Sequence, residues 1–227
     1  LAVDERVEVG GTSARAASNR ALWGLEKACL RSADSLLTRT EAAARVLEAR
    51  AGASRRAGSI RVVPNGADAE RFAPRPVEAR GAVRARFGVG VAQPWFAVLG
   101  SVGSQYLPDE TLALLAELRR GAPGCALHWF SSDPAVATAR LGGAARLTEL
   151  GVRVIALAPS EVPDVLGCLD GAVALRRALP SQCAVSPLKL GELLLSGVPV
   201  VMTKGVGDLE DLCAGNPGTW LLADCEP

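Results

Sequence analysis

Residues 95–120 read WFAVLGSVGSQYLPDETLALLAELRR. The first five form an apolar run typical of a buried strand, and the next seven, Gly100 to Tyr106, contain two glycines and predict a loop. Pro108 suits the first turn of a helix, which we predict to run to Arg120. Its apolar side consists of Leu112, Leu115 and Leu118. The stretch therefore predicts a strand, a loop and a helix in succession.

The same alternation continues to Met202. Apolar runs predict further strands at 126–130, 152–157, 171–175 and 198–202, and the intervening patterns predict helices at 134–150, 163–169 and 188–196. Near-continuous apolar strands alternating with helices are typical of a parallel sheet covered on both faces. We predict a Rossmann-like, doubly wound α/β domain, in which ligands bind beyond the carboxyl ends of the strands.

The chain before this domain has a different pattern. Residues 1–20 show no steady period and predict a loop, whereas 21–31 and 41–51 predict helices, the second capped by Thr40. Short strands are predicted at 35–38 and 59–63, and the second ends in Pro64-Asn65-Gly66, which favours a turn. We predict a boundary there, with residues 1–66 in one domain and 67–227 in the next.

Composition excludes several classes of protein. With 227 residues and 49% hydrophobic content the chain is not mainly disordered, and 25 basic against 24 acidic residues give no field that attracts nucleic acid or an anionic membrane. Six cysteines without a CxxC pair and a single histidine predict neither a zinc site nor a disulfide framework. We expect no metal and a cytoplasmic compartment; a peripheral membrane position stays open for the full-length protein.

The segment Ser186-Pro187-Leu188-Lys189-Leu190-Gly191-Glu192 enters the predicted helix 188–196. Ser186 can cap this helix, and Lys189 with the free N–H groups of the first turn makes an anion site suited to a diphosphate. Glu192 lies three residues after Lys189, so both project to one face. A carboxylate there can accept hydrogen bonds from ribose hydroxyls; the alternative is a surface ion pair between Lys189 and Glu192.

Two glycine-containing loops follow predicted strands. In the loop after residue 99, Gly100, Ser101 and Gly103 allow backbone N–H groups to approach a diphosphate, or simply form a tight turn. After residue 202 comes a second loop with two glycines and an aspartate, and there ligand contact and capping of the helix that starts at Leu209 are both open. Its candidate site residues are Gly205, Gly207 and Asp208.

Three other polar residues are candidates of lower interest. His128, between Leu127 and Trp129 in a predicted strand, is expected in the packed core and not as a catalytic base. Arg176 and Arg177, after the fourth strand of the domain, can reach phosphate or stay solvated in the loop. The sequence alone names no catalytic residue.

Several ordered motifs resemble the retaining, family-4-like glycosyltransferases of the GT-B fold, over nearly the whole chain. The 60–68 stretch IRVVPNGAD, followed by Arg71-Phe72, is similar to the linker into the donor domain of that family. The 160–171 region looks like the segment on which the nucleoside base stacks. The most specific matches are the segment Ser186–Glu192, GVPVV at 197–201 and GVGD at 205–208.

The resemblance implies roles for these residues. Lys189 would bind the donor diphosphate, Glu192 the ribose hydroxyls, and the Gly100–Gly103 loop the phosphates or the transferred sugar. Many members carry a second glutamate that would fall at Ala184, and an Arg and a Lys after the first-strand loop, where this chain has Ser104 to Tyr106. The chain is thus similar to the branch whose motif reads SPxKxGE.

The resemblance also implies a function. Residues 1–66 would be the tail of an acceptor domain with its linker strand, and 67–227 a C-terminally truncated donor domain. We expect transfer of a sugar from a nucleotide-diphosphate sugar, with retention and without a cofactor, to a glycan, lipid-linked or small-molecule acceptor. We expect no nucleic-acid partner and no turnover by the fragment alone. Open alternatives are a GT-B sugar-nucleotide epimerase, a dinucleotide-binding module and a non-catalytic nucleotide-binding α/β module.

Overall fold

A computed structural model describes residues 2–52 and 59–223. The chain divides into two compact units. The first comprises Leu1–Asn65, Arg177–Pro187 and Lys204–Ala214, and the second comprises Gly66–Arg176, Leu188–Thr203 and Gly215–Pro227. The chain first passes from the first unit to the second between Asn65 and Gly66, one residue before the predicted boundary. It then returns to the first unit twice. Residues 224–227 of the predicted donor domain lie outside the described residues.

The described elements follow one another in chain order. The helices are α1 Ala2–Glu8, α2 Ala17–Ser32, α3 Glu41–Ala51, α4 Val77–Arg86, α5 Pro108–Gly121, α6 Pro134–Arg140, α7 Ala144–Leu150, α8 Val162–Leu166, α9 Leu188–Leu195 and α10 Leu209–Cys213. The strands are β1 Leu36–Thr38, β2 Ile60–Val62, β3 Trp95–Leu99, β4 Ala126–Ser131, β5 Val152–Ala156, β6 Gly171–Ala174, β7 Val200–Thr203 and β8 Thr219–Leu222. A 3-10 turn spans Pro180–Ala184.

The first unit contains α1, α2, α3, α10 and the parallel pair β1–β2. As predicted, Thr40 caps α3: its Oγ1 accepts the backbone N–H of Ala43 at 3.1 Å. The prediction of a loop over residues 1–20 is wrong. Helix α1 occupies Ala2–Glu8 and buries only Val3, and α2 begins at Ala17. Residues 1–20 were not predicted as helical because they lack the wide apolar stripe that indicates an amphipathic helix.

The second unit is built on a six-stranded sheet in which every neighbouring pair is parallel. Its strand order is β5-β4-β3-β6-β7-β8, so the chain adds strands outward from β3 to β5 and then returns to pair β6 with β3. This reversal between β3 and β6 is the topological switch point of a doubly wound sheet. The predicted fold class is confirmed, and the loop after β3 lies at the switch point.

Apolar side chains of the central strands form the core of the second unit. Trp95 is fully buried in β3, and Leu112 and Leu115 of α5 pack in one cluster with Val98, which projects from the opposite face of that strand. The predicted helix 134–150 is instead two helices, α6 and α7, because Gly142 and Gly143 between them have φ of 93° and 91°, in the left-handed region. The edge strand β8 has no counterpart among the predicted strands.

Candidate functional site

A cavity of about 400 Å³ lies in the second unit at the carboxyl ends of β3, β4 and β5. We call it the carboxyl-edge cavity. Its volume is in the range of small-molecule sites, and its place beside the switch point is where doubly wound sheets bind ligands. It is lined by Arg71, Phe72, Leu99, Gly100, Ser101, Phe130, Ser131, Ser132, Leu157, Pro159, Val162, Lys189 and Glu192.

The loop after β3 and the start of α9 meet in this cavity. A Cβ atom placed on Gly100 would lie 3.5 Å from Lys189 Nζ, so the ammonium group reaches the backbone of the loop. Gly100 has φ of 134°, a conformation that residues with a Cβ rarely adopt. Lys189 is the second residue of α9, where the N–H groups of the first turn have no partner within the helix. The sequence predicted this juxtaposition of Gly100, Ser101 and Lys189.

Lys189 and Glu192 share the cavity without pairing. Both line it, which confirms that they project to one face of α9. Among the described residues, neither side chain makes a hydrogen bond or an ion pair. The alternative of a Lys189–Glu192 surface ion pair is therefore not realised. An ammonium and a carboxylate without partners in one cavity are available to an anion and to hydroxyl groups, respectively.

Apolar side chains form another part of the lining. Phe130 is buried at the end of β4, and Leu157, Pro159 and Val162 follow β5 and lead into α8. Val162 belongs to the 160–171 segment that the family resemblance associates with the nucleoside base, and Pro159 directly precedes that segment. A largely apolar wall beside unpaired charges suits a ligand with a flat hydrophobic end and an anionic end.

Arg71 and Phe72 line the cavity, although sequence reasoning assigned them only to the linker. The segment that carries them is held against α8. The backbone N–H of Arg75 donates to the carbonyl of Gly167 at 3.2 Å, and the Arg75 guanidinium pairs with Asp164. Nothing in the local pattern of residues 67–76 shows this approach, because it depends on contacts to residues about 90 positions away.

Two predicted donor-binding residues of the second unit do not line the cavity. Gly191 packs on the other side of α9, where a Cβ would lie 3.1 Å from Ala67 Cβ. Gly103 lies in the loop after β3, and a Cβ there would be 2.7 Å from Gln105 Oε1. These close neighbours explain why glycine stands at both positions. Contact of either residue with the donor stays a prediction.

The four remaining predicted site residues belong to the first unit, and their polar groups bind protein atoms. Ser186 Oγ accepts the backbone N–H of Asn65 at 3.2 Å, and Asn65 Nδ2 donates to the Ser186 carbonyl. The N–H of Gly205 donates to Glu210 Oε1 at 2.8 Å, and that of Gly207 to the carbonyl of Gln182 at 2.9 Å. These bonds explain the local structure, and donor contact by these residues stays a prediction.

Asp208 does not cap the helix that follows it. Its side chain makes no capping hydrogen bond to α10. The carboxylate instead accepts the backbone N–H groups of Glu41 at 2.7 Å and Ala42 at 2.9 Å, at the start of α3. An acidic group is favourable there because a helix N-terminus carries partial positive charge and unpaired N–H donors. Of the two alternatives that the sequence left open for Asp208, capping of the helix starting at Leu209 is not realised, and ligand contact stays a prediction.

Charged residues on the opposite edge of the same sheet are fully paired. A second cavity of about 320 Å³, which we call the amino-edge cavity, is lined by Val77, Arg80, Arg84, Val91, Ala92, Gln93, Pro94 and Asp170. Asp170 accepts bonds from Arg80 at 2.9 Å, from Arg84 at 3.2 Å and from the backbone N–H of Trp95 at 2.9 Å. Arg84 also donates to three backbone carbonyls.

His128 is part of the core beside this network. Its side chain is buried, and its Nδ1 accepts the indole N–H of Trp95 at 2.6 Å. Burial, with a smaller contribution from Arg153, lowers the pKa of His128 to about 4. The expectation of a packed core histidine is confirmed. Arg176 lies with its guanidinium carbon 4.7 Å from the ring centre of Tyr106, which explains its position without a ligand.

Within residues 2–52 and 59–223, no group of three or more His, Cys, Asp or Glu side chains is arranged to hold a metal ion. None of the helices in those ranges is both long enough and apolar enough to cross a bilayer.

Comparison with known proteins gives matches among solved structures only. No protein-family model and no curated protein matches the sequence. Anabaena HepE in complex with UDP-glucose aligns with 92% of this chain and 54% of its own, with a TM-score of 0.69 and 18% identity. WaaG, a glycosyltransferase involved in lipopolysaccharide biosynthesis, aligns with 94% of this chain and 56% of its own, with a TM-score of 0.72 and 16% identity.

A shorter structure also matches. The C-terminal domain of a group 1 glycosyltransferase family protein from Francisella tularensis aligns with 71% of this chain and 82% of its own, with a TM-score of 0.51 and 15% identity. This chain spans about half the length of the HepE and WaaG chains. At these identities the comparisons show the fold: the chain shares the α/β architecture of GT-B glycosyltransferases, as its sequence predicted.

Proposed function

We propose that this chain carries the sugar-nucleotide-binding part of a GT-B glycosyltransferase and that the carboxyl-edge cavity binds the donor. The observation that carries the proposal is the pair of unpaired charges, Lys189 and Glu192, on one face of α9 beside the Gly100 loop. A sugar nucleotide offers a diphosphate for the ammonium, ribose hydroxyls for the carboxylate and a flat base for the apolar wall. The UDP-glucose bound to the structural neighbour HepE supports this class of donor.

The chemistry of the proposed site follows from where charge develops. When the bond between the sugar and the diphosphate breaks, negative charge grows on the departing phosphate. Lys189 and the N–H groups at the start of α9 lie where they can stabilise that charge, and preorganised groups of this kind supply a large part of catalysis. Glu192 would fix the ribose and thereby orient the diphosphate. We assign no catalytic acid or base to the described residues.

Several finer features of the proposal come from the family resemblance. They are retention at the anomeric carbon, the SPxKxGE branch, and an acceptor that is a glycan, a lipid-linked molecule or a small molecule. We propose that the reaction uses no cofactor besides the sugar nucleotide. A cytoplasmic site is proposed from the cysteine pattern, and the five described cysteines are free thiols.

The epimerase alternative receives less support from the described residues. Epimerisation of the sugar requires acid and base groups around it. The single histidine of the chain, His128, is buried in the core with a pKa of about 4. The dinucleotide-binding alternative lacks the glycine fingerprint after β3, where the loop reads GSVGSQY.

Calorimetric titration of the chain with nucleoside diphosphates of different bases tests the proposal. We expect at least one to bind, and Lys189→Met to weaken it by about 10- to 100-fold, because a charged hydrogen bond to phosphate is lost. Arg120→Met is the matched control, since Arg120 is a basic residue whose side chain is 72% exposed. A folded chain that binds none of them, or binds only nicotinamide dinucleotides, would overturn the proposal.

A further inference from the structure

Arg71 is unusual among the arginines of the second unit. Within the described part of that unit, every arginine from Arg75 to Arg153 makes a hydrogen bond or an ion pair through its guanidinium, and Arg176 lies against the ring of Tyr106. Arg71 makes neither a hydrogen bond nor an ion pair through its guanidinium in that part of the chain. Its five N–H donors are therefore open to a ligand.

The backbone of Arg71 is nevertheless restrained at the cavity. Its guanidinium carbon lies 5.8 Å from the ring centre of Phe72, which is itself buried. The backbone N–H groups of both residues donate to the carbonyl of Asp68, at 3.2 Å and 3.0 Å, and so form a turn. Contact with the ring face favours a guanidinium over an aliphatic or neutral group. The backbone is thus fixed at the cavity before any ligand binds, and the exposed guanidinium has the Phe72 ring as its contact.

The charges of the cavity lining suit a ligand with more than one negative charge. Arg71 and Lys189 are its two basic residues and Glu192 is its one acidic residue. The loop after β3, Gly100 to Tyr106, contributes no basic side chain. If Glu192 accepts hydrogen bonds from ribose hydroxyls, its charge does not offset the two cations at the anionic end of the ligand.

We propose that Arg71 is the second cation of the donor site and that it binds the diphosphate of the sugar nucleotide together with Lys189. This inference rests on the proposed function and deepens it. A guanidinium offers parallel N–H donors to two phosphate oxygens at once, which an ammonium does not. Arg71 and Lys189 then each meet negative charge on the diphosphate, and removal of either leaves part of that charge without a partner.

The test compares ligands that differ only in phosphate number. Calorimetry measures the affinity of the parent chain, Arg71→Met, Arg71→Lys, Lys189→Met and the control Arg120→Met for a nucleoside, its monophosphate and its diphosphate, all with the base that binds best. We expect Arg71→Met to weaken diphosphate binding by about tenfold or more and nucleoside binding by less than about twofold. Arg71→Lys should retain part of the diphosphate affinity, because it keeps the charge and loses the paired donors.

The outcomes separate this inference from the proposed function. If the parent chain binds no nucleoside diphosphate, both fall. If the parent chain binds and Lys189→Met weakens it while Arg71→Met does not, the proposed function stands and the role of Arg71 is wrong. Equal losses for nucleoside and diphosphate in Arg71→Met would mean that the guanidinium stacks on the base, which also overturns the inference. Thermal unfolding of each variant confirms that these differences arise in the folded chain.

Discussion

The two cavities of the second unit each contain arginine and an acidic residue, but within the part of the chain that the structure describes these charges have hydrogen-bond or ion-pair partners in one cavity only. The amino-edge cavity contains Arg84 and Asp170, and the carboxyl-edge cavity contains Arg71 and Glu192. At the amino edge Arg84 is 2% exposed, and both charged groups have several partners. At the carboxyl edge the charges have no hydrogen-bond or ion-pair partners among the described residues. A basic residue and an acidic residue in a cavity are therefore not by themselves a sign of a binding site.

The difference lies in what satisfies the charges. Buried charges are costly unless paired, so the Arg84–Asp170 network is expected where the protein itself is the partner, and it joins the amino ends of β3 and β6. Charges that stay unpaired in a concave, partly apolar site are satisfied by water until a ligand replaces it. The comparison predicts that amino-edge substitutions change stability, whereas carboxyl-edge substitutions change ligand affinity.

The largest effect on stability is expected from Asp170→Ala. It removes the carboxylate partner of Arg80 and of the buried Arg84, and the acceptor of the Trp95 N–H. We expect the free energy of unfolding in urea to fall by about 3 kcal/mol, the lower part of the range for broken buried pairs because Asp170 is 38% exposed.

The matched control for Asp170→Ala is Glu117→Ala. Glu117 pairs with Arg120 on the surface of α5, where both side chains are more than half exposed, at 59% and 72%. The expected change in unfolding free energy is below about 0.5 kcal/mol. Nucleotide affinity of the folded protein should be unchanged in both variants. Similar unfolding curves for the two variants would show that the amino-edge network does not stabilise the folded chain.

A pH titration extends the comparison to His128, which Trp95 joins to the amino-edge network. The pKa of His128 is about 4 in the folded chain, below about 6.5 for an unfolded histidine. The folded state therefore disfavours the protonated form of His128. The contribution of the neutral histidine to the free energy of unfolding is complete above pH 6.5 and is lost progressively as pH falls toward 4. The loss should approach about 2 to 3 kcal/mol at pH 4.

Carboxylates also titrate in this range, so the measurement is a difference between two proteins. The pH dependence of unfolding free energy is compared between the parent chain and His128→Gln, whose amide can still accept a hydrogen bond but cannot be protonated. The parent chain should lose more stability between pH 6.5 and 4 than the variant. Parallel curves would contradict a buried, neutral histidine.

Sequence reasoning was most successful where the signal is local. Strand β3 and helix α5 were predicted nearly to the residue, because an apolar run and a proline-started amphipathic helix are local patterns. Helix α1 was missed since it buries a single side chain, Val3, and leaves no periodic stripe. The edge strand β8 was missed although its exposed and part-buried residues alternate. Its two exposed residues, Trp220 and Leu222, are apolar, so that alternation is not one of polar and apolar residues.

The candidate site shows the same division. Lys189, Glu192 and Gly100 were predicted correctly to lie in one place, since their spacing on a helix and their position after a strand are readable from the sequence. Arg71 was missed because its approach depends on where the linker packs. The contact of Asp208 with the start of α3 was not among the alternatives considered for it, since the N–H groups that it accepts belong to residues more than 160 positions earlier. A local sequence pattern cannot indicate a contact between residues so far apart in the chain.

Gly100→Ala tests whether the loop after β3 requires a glycine both for its backbone conformation and for ligand binding. With φ of 134° the backbone is in a region that alanine adopts with strain, so unfolding free energy should fall by about 1 to 2 kcal/mol. The new methyl group would lie 3.5 Å from Lys189 Nζ and should also weaken nucleoside diphosphate binding. Gly121→Ala is the control, because Gly121 ends α5 with open space around its Cβ position. A Gly100 variant as stable and as tight-binding as the Gly121 variant would show that the loop tolerates a side chain.

The smallest effect on stability, and the clearest separation of the two cavities, is expected from Glu192→Gln. The substitution preserves the shape of the side chain and removes a charge that has no ion-pair partner among the described residues, so unfolding free energy should change by less than about 0.5 kcal/mol. Ligand recognition should change more. If Glu192 accepts hydrogen bonds from ribose hydroxyls, the parent chain should bind a ribonucleoside diphosphate more tightly than its 2′,3′-dideoxy analogue. Glu192→Gln should lose most of that preference, because charged acceptors form the stronger bonds. An undiminished preference would assign ribose recognition to another group and leave Glu192 as an unpaired charge without a role in binding.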